Sequence, residues 1–157
     1  MEKRIAYVAC AGGCRAEKGP NGVPLCSSGC RACVLCESAC PHGAISIGGR
    51  GVAEVEAQKC AGCGACTRIC PQEIIHLRPA GYPFLARCAG NGKECGKLCR
   101  TGCVACGLCE RLCPAGAIAL RGGHPVMDYT KCLSCGLCAV KCPRYVFVDV
   151  RGILTPV

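Results

Sequence analysis

The stretch CRACVLCESACP at residues 30–41 spaces four cysteines as C-x2-C-x2-C-x3-C and closes on a proline. The same spelling returns as CAGCGACTRICP at 60–71, CVACGLCERLCP at 103–114 and CLSCGLCAVKCP at 132–143. Three thiolates two residues apart can wrap one compact inorganic group only if the loop is tight and its amides point inward at sulfur. Small residues between the cysteines favour that, here Ala32, Gly62, Gly64, Ala65, Ala105, Gly107 and Gly136. The following prolines, Pro41, Pro71, Pro114 and Pro143, suit the first turn of a short helix, where no amide donor is needed. Short helices, one turn or two after each Cys-Pro, are therefore expected.

The runs come in pairs. Residues 26–45 align without gaps with 99–118, thirteen of the twenty pairs being identical, and 59–71 align with 131–143. Upstream, ACAGGC at 9–14 and RCAGNGKEC at 87–95 resemble each other more loosely. The chain thus reads as a tandem duplication of residues 1–78 and 84–157, joined through Pro79-Ala80-Gly81-Tyr82-Pro83. Each half repeats two short strands about a glycine turn, 44–47 with 52–56 and 117–120 with 125–128. Outer strands are expected at Ile5–Ala9 with Glu73–Leu77, and at Phe84–Arg87 with Tyr145–Val150.

Composition agrees that packing alone does not hold this chain together. Of 157 residues 22 are cysteine, six are aromatic and none is Trp; without cysteine the hydrophobic share falls from 51% to roughly 37%. Too little aliphatic mass remains in each half for an ordinary core. No run of 18 apolar residues occurs and the start, MEKRIAYVAC, lacks a long apolar stretch, so neither a membrane span nor a secretory signal is expected. A cytoplasmic location follows, and there metal takes precedence over disulfides.

The four runs match the motif of bacterial ferredoxins, in which three cysteines hold one [4Fe–4S] cluster and the fourth holds the cluster of the partner run. The upstream pieces V-A-C-A-G-G-C leading to C-S-S-G-C, and R-C-A-G leading to L-C-R-T-G-C, more narrowly resemble the polyferredoxin region of the B subunit of Rnf-type ferredoxin:NAD oxidoreductases. The resemblance covers nearly the whole chain and departs at the front, where that family's membrane anchor and separate N-terminal cluster domain have no counterpart. It implies an α+β fold of two tandem ferredoxin-like domains, with small antiparallel hairpins and short helices around the clusters. By its cross-ligation rule one cluster takes Cys30, Cys33, Cys36 and Cys70, and its partner Cys60, Cys63, Cys66 and Cys40. The C-terminal half repeats this with Cys103, Cys106, Cys109 and Cys142, and with Cys132, Cys135, Cys138 and Cys113.

Six cysteines lie outside the runs: Cys10, Cys14 and Cys26, then Cys88, Cys95 and Cys99. They read as inert small hydrophobes, as a disulfide, or as ligands of an additional cluster in each half. Recurrence of three in the same place in both repeats favours ligation, which takes the expected clusters from four to as many as six. Zinc prefers two separated C-x2-C pairs. The radical-SAM spacing C-x3-C-x2-C, matched at Cys26 and Cys99, needs a barrel-sized domain that neither half provides.

The remaining polar residues carry less. His42 reads as a solvated surface residue and His76, between Ile75 and Leu77, as an outward strand position; Asp128 and Asp149 read as turn or edge residues. No Ser-His-Asp set, phosphate-cradling loop or paired carboxylates are present, so an electron carrier rather than an enzyme is expected. The formal charge of +9 suggests nucleic acid until the clusters are counted. Each cubane with four thiolates adds a net −2, so four leave about +1. Lys59, Arg68, Arg111, Lys131 and Lys141 then read mainly as counter-charge, and the scarcity of aromatics removes the stacking platforms that nucleic acid requires. Expected partners are redox enzymes or subunits of an oxidoreductase. Ile45, Ile47, Val52, Val55, Ile69, Ile74, Ile118, Leu120, Val126, Met127 and Val146 are the residues expected to pack on the clusters.

Overall fold

The computed structural model describes residues 3–10, 28–49, 51–90, 99 and 101–154. Strand β1 (Arg4–Val8) leads to helix α1 (Leu35–Ala39), the hairpin β2 (Ile45–Ile47) and β3 (Ala53–Val55), helix α2 (Ala65–Ile69) and strand β4 (Ile75–Pro79). The second half repeats the order with β5 (Phe84–Ala86), α3 (Leu108–Leu112), β6 (Ile118–Arg121), β7 (His124–Met127), α4 (Leu137–Lys141) and β8 (Phe147–Asp149). Four two-stranded antiparallel sheets result, β1 with β4, β2 with β3, β5 with β8 and β6 with β7. These small strand pairs and five-residue helices make an α+β architecture of the ferredoxin type.

The hairpin turns follow from glycine. Arg121 pairs with His124 across Gly122 and Gly123, whose φ values of 60° and 86° make the two-residue turn that matches the twist of its strands. In the first half the corresponding loop is longer, Gly48 N–H donating to Val52 O at 2.9 Å and Gly51 N–H to Gly48 O at 3.0 Å.

The helices do not follow the Cys-Pro pairs; they precede them. Each begins after a residue in the left-handed conformation (Val34, Gly64, Gly107, Gly136), carries the third cysteine of its run, and ends on the fourth. Cys40, Cys70, Cys113 and Cys142 are extended, with ψ between 112° and 118°. Proline imposes this, since its ring clashes with a helical conformation at the preceding residue. The proline is thus a stop signal, and the expectation that it starts a helix is corrected. A turn follows, in which Gly43, Glu73, Gly116 and Tyr145 adopt positive φ and donate back to the carbonyl of the fourth cysteine.

Each half has its own buried cluster. Ile5, Val8, Ile45, Ile74 and Ile75 form the first with Cys36, Cys60 and Cys66, while Phe84, Ile118, Val146 and Phe147 form the second with Cys88 and Cys103. Most residues expected to pack on the clusters are buried or half-buried, but Ile69 and Val126 are exposed. Ile69 ends α2, where the chain turns outward to place Cys70, and Val126 points away from the sheet face that Pro125 buries.

The halves touch. Ala9 N–H donates to Ile74 O at 2.7 Å and Arg87 N–H to Val146 O at 2.8 Å; the next residues, Cys10 and Cys88, then form an antiparallel bridge with each other. Tyr7 and Tyr129 are hydrogen-bonded through their side chains, and burial pushes both phenols up. Tyr129 also donates to Phe84 O at 3.3 Å and packs edge-on against Tyr82. Arg78, buried at the end of β4, donates to Tyr82 O and Pro79 O and so closes the connecting turn. Asp149, read from the sequence as a turn or edge residue, is fully buried at the end of β8. Its carboxylate accepts from Arg151 Nε at 2.9 Å, Arg151 Nη2 at 3.1 Å and Leu154 N at 3.2 Å.

Candidate metal centres

Among the described residues, four cysteine-lined pockets that open to solvent lie between the helices and the sheets. Site I is lined by Cys30, Cys33, Cys36 and Cys70, with Val8, Ala53 and Ile75. Site II is lined by Cys40, Cys60, Cys63 and Cys66, with Ala6, Ile45 and Leu77. Cys103, Cys106, Cys109 and Cys142 surround site III with Leu120 and Phe147, and Cys113, Cys132, Cys135 and Cys138 surround site IV with Phe84 and Ile118. In every case three cysteines come from one run and the fourth from the other run of the same half. The exchange follows from the chain's path, because the helix that carries the third cysteine directs the fourth toward the neighbouring helix: α1 packs on α2 and α3 on α4.

The walls suit thiolates. Ala44 N–H, Ala117 N–H and Val146 N–H donate to the sulfurs of Cys40, Cys113 and Cys142 at 3.3, 3.3 and 3.5 Å. Ala105 and Ser134, both at φ 55°, donate to Cys103 and Cys132 at 3.3 and 3.4 Å, and Ala6 and Ala53 reach Cys60 and Cys30 across the fold. Successive amides turned toward one centre make a concave anion site. Left-handed residues between the cysteines create it, as at Gly62, whose missing side chain lets the loop lie against the carbonyl of Arg4.

The thiols differ by depth. The second cysteine of each run, Cys33, Cys63, Cys106 and Cys135, is exposed. Burial pushes the third thiol up, to about 11 at Cys36 and Cys109 and about 12 at Cys138, with Cys66 raised for the same reason. At Cys40 four backbone donors outweigh burial and lower the thiol. A group that binds these sulfurs must therefore displace protons held by burial. Among the described residues no three His, Cys, Asp or Glu side chains converge as one metal ion would require. The sulfurs instead frame sites with mostly apolar walls and backbone amides aimed at sulfur, a setting that suits a cubane with four thiolate ligands.

Of the six further cysteines, Cys14, Cys26 and Cys95 lie outside the described residues. Cys10 and Cys88 meet in the bridge between the halves, Cys88 Sγ accepting from Cys103 N–H at 3.4 Å. Cys99 Sγ lies 3.6 Å from Thr101 Oγ1, and its carbonyl accepts from Arg144. Sequence reading passed over the left-handed residues Glu73, Ser134 and Tyr145, which carry no glycine to mark them.

Paired helices that carry cysteines inward, cysteines grouped four to a cavity across the two runs of each half, and amides aimed at sulfur define an iron–sulfur electron-transfer protein of the ferredoxin type. The 4Fe-4S dicluster domain family matches residues 29–74 and again 102–146, and the chain belongs to it, with two dicluster matches that imply up to four [4Fe–4S] clusters. The chain is 35% identical over 149 residues to the B subunit of the Na(+)-translocating ferredoxin:NAD(+) oxidoreductase complex of Acetobacterium woodii, covering 82% of this chain and 44% of that protein. It is 46% identical over 66 residues to the B subunit of the ion-translocating oxidoreductase complex of Methanosarcina acetivorans, covering 41% and 25%. It is also 34% identical over 67 residues to the polyferredoxin-like subunit of the aliphatic sulfonate oxidoreductase of Pyrococcus furiosus, covering 41% and 38%. The chain spans less than half the length of these curated relatives. No helix among the described residues is long and apolar enough to cross a membrane.

Proposed function

We propose that this chain is the electron wire of a larger oxidoreductase, a cytoplasmic-side subunit passing single electrons between redox partners. Bound at the four sites, [4Fe–4S] clusters would accept and release one electron each at low potential. The observation that carries this reading is the grouping of sixteen motif cysteines, four to a cavity, in crossed sets. Each set is proposed as the ligands of one cluster, and residues 1–78 and 84–157 as the two units that hold two clusters apiece. The chain's own part is to fix sulfurs, exclude water and leave a way in for electrons. Amides aimed at sulfur stabilise thiolate charge, and Phe84, Phe147, Ile75 and Leu77 keep the cavity walls apolar. The exposed second cysteines bring one corner of each site to the surface, where a partner's redox centre could approach.

That the relatives are subunits of oxidoreductase complexes favours a resident wire over a diffusing carrier. The six further cysteines are proposed as ligands of an additional cluster in each half, on the strength of their recurrence in both repeats. Iron and acid-labile sulfide per chain, measured on anaerobically purified protein, test both statements. About 16 of each support the four sites and reject additional clusters, whereas about 20 to 24 support one or two more. A preparation without sulfide rejects the proposal altogether.

A further inference from the structure

The four sites repeat one ligand plan, yet the space beside the left-handed residue after the second cysteine is filled differently at each. At site II a Cβ on Gly64 would stand 3.3 Å from Arg68 Nη1, and at site III a Cβ on Gly107 would stand 3.1 Å from Arg111 Nη1. Each guanidinium folds back over the glycine and donates to the carbonyl of the exposed cysteine, Cys63 at 3.4 Å and Cys106 at 3.2 Å. At site IV the same space beside Gly136 holds Leu154 Cδ1, with Phe84 Cζ 2.9 Å from the Cβ position. At site I there is no glycine. Val34 itself takes φ 57°, a conformation that opposes a β-branched side chain, and stands there as a half-exposed apolar residue.

These fillings are charged at two sites and apolar at two. The position four residues after the left-handed one is Ser38, Arg68, Arg111 and Val140 in turn, so the arginine belongs to opposite members of the repeat: Arg68 aligns with Val140, and Arg111 with Ser38. Reduction of a cluster adds one electron and no atom, making its net charge more negative by one. A guanidinium held beside a ligand cysteine favours that state, and an apolar cover does not.

Arg31 lines site I and Arg144 lines site III, so cations are not confined to two of the sites. Resting on the four-cluster reading, we propose that Arg68 and Arg111, each held against the exposed cysteine of its own site, raise the reduction potentials of sites II and III above the values those sites have without them. Both arginines are exposed, so their field is partly screened.

The test is an EPR-monitored redox titration of the anaerobic holoprotein with dithionite and viologen mediators. In Arg68→Gln or Arg111→Gln one of the one-electron steps should move to lower potential by a threefold to tenfold change in the reduced-to-oxidised ratio. At 59 mV per tenfold this is about 28 to 59 mV. Arg68→Lys and Arg111→Lys, which keep the charge, should move less than half as far, and the Gln shift should shrink in about 1 M salt. The double variant Val34→Gly/Ser38→Arg, which gives site I the sequence of site III at both positions, should raise one step by a similar amount. Equal shifts for Gln and Lys, or unmoved steps at unchanged iron and sulfide content, overturn the inference and leave the clusters in place. Protein lacking iron, sulfide and EPR signal overturns the underlying reading instead.

Discussion

The two halves hold their cysteines almost identically and differ in what surrounds them. Both place left-handed residues at the same three positions of every run: Ala32, Val34 and Gly43; Gly62, Gly64 and Glu73; Ala105, Gly107 and Gly116; Ser134, Gly136 and Tyr145. Both bury the third cysteine more deeply than the second. The hairpin turn, however, is longer in the first half. Among the described residues only the second half has a clamp at its end, where Asp149 binds Arg151 and the backbone of Leu154, holding that leucine over Gly136. Duplication preserved the part of the structure that four thiolates dictate. The parts facing solvent diverged, because many side chains satisfy them.

Removal of the clusters should have the largest effect and shows how far the halves depend on them. A chelator under anaerobic conditions is expected to abolish the far-UV circular dichroism of both halves, since the sulfur-lined cavities leave little apolar contact without their contents. A cluster-free chain that keeps its strands would break the claim for both halves, and a chain that keeps half its signal would break their equivalence.

Next in size is a comparison of equivalent loop positions. Gly62 lies against the backbone carbonyl of Arg4, whereas its counterpart Ser134 already carries a side chain at φ 55°. Gly62→Ala should destabilise the first half by about 2 to 4 kcal/mol through left-handed strain and overpacking. Ser134→Gly should stay within about 1 kcal/mol of the parent, relief of strain offsetting the added chain entropy. Thermal denaturation of the two holoproteins decides, and equal losses would contradict the register of the loops.

Loading should depend on pH with a defined sign. Burial raises the Cys36 and Cys109 thiols to about 11 and Cys138 to about 12, so near neutral pH they are protonated in the folded chain. Iron binding must expel those protons, and reconstitution should become more favourable as pH rises from about 6.5 to 8.5. Thiols raised to about 11 or to about 12 are both fully protonated across this range, so each proton displaced contributes the same slope in either half. Iron uptake that is flat or falls over this range would refute the assignment of these buried thiols as ligands.

The smallest expected effect belongs to the clamp. Asp149→Asn removes the charge that seats Arg151, should loosen Leu154, and is expected to raise iron release from the second half severalfold while sparing the first. Chelator-trapped iron release from the parent and the variant measures it, and an unchanged rate would separate the clamp from site IV.

Much of the site was legible in the sequence because three of the four cysteines around each cavity belong to one short run. Cysteine spacing marked the four runs, the crossed grouping came from the resemblance to bacterial ferredoxins, and the strand pairs followed from short β-branched segments flanking glycine turns. The helices were misplaced because proline was read as a starter, when its effect on the preceding cysteine makes it a terminator. Exposure of Ile69 and Val126 escaped the pattern because five-residue helices and four-residue strands are too short for periodicity to fix their faces. Leu154 lies far along the chain from Gly136, and no spacing rule joins them. The meeting of Cys10 with Cys88 was equally hidden, although the likeness of their flanking segments was visible.

That bridge also bears on stoichiometry. Cys10 and Cys88 follow equivalent residues of the two repeats, so the backbones pair antiparallel at the place where each meets its own counterpart. Such a contact is isologous, as in a dimer about a two-fold axis, and an isologous contact is saturated once made. A third unit has no edge to add to there, and two units in one chain meet at a ratio that dilution does not alter.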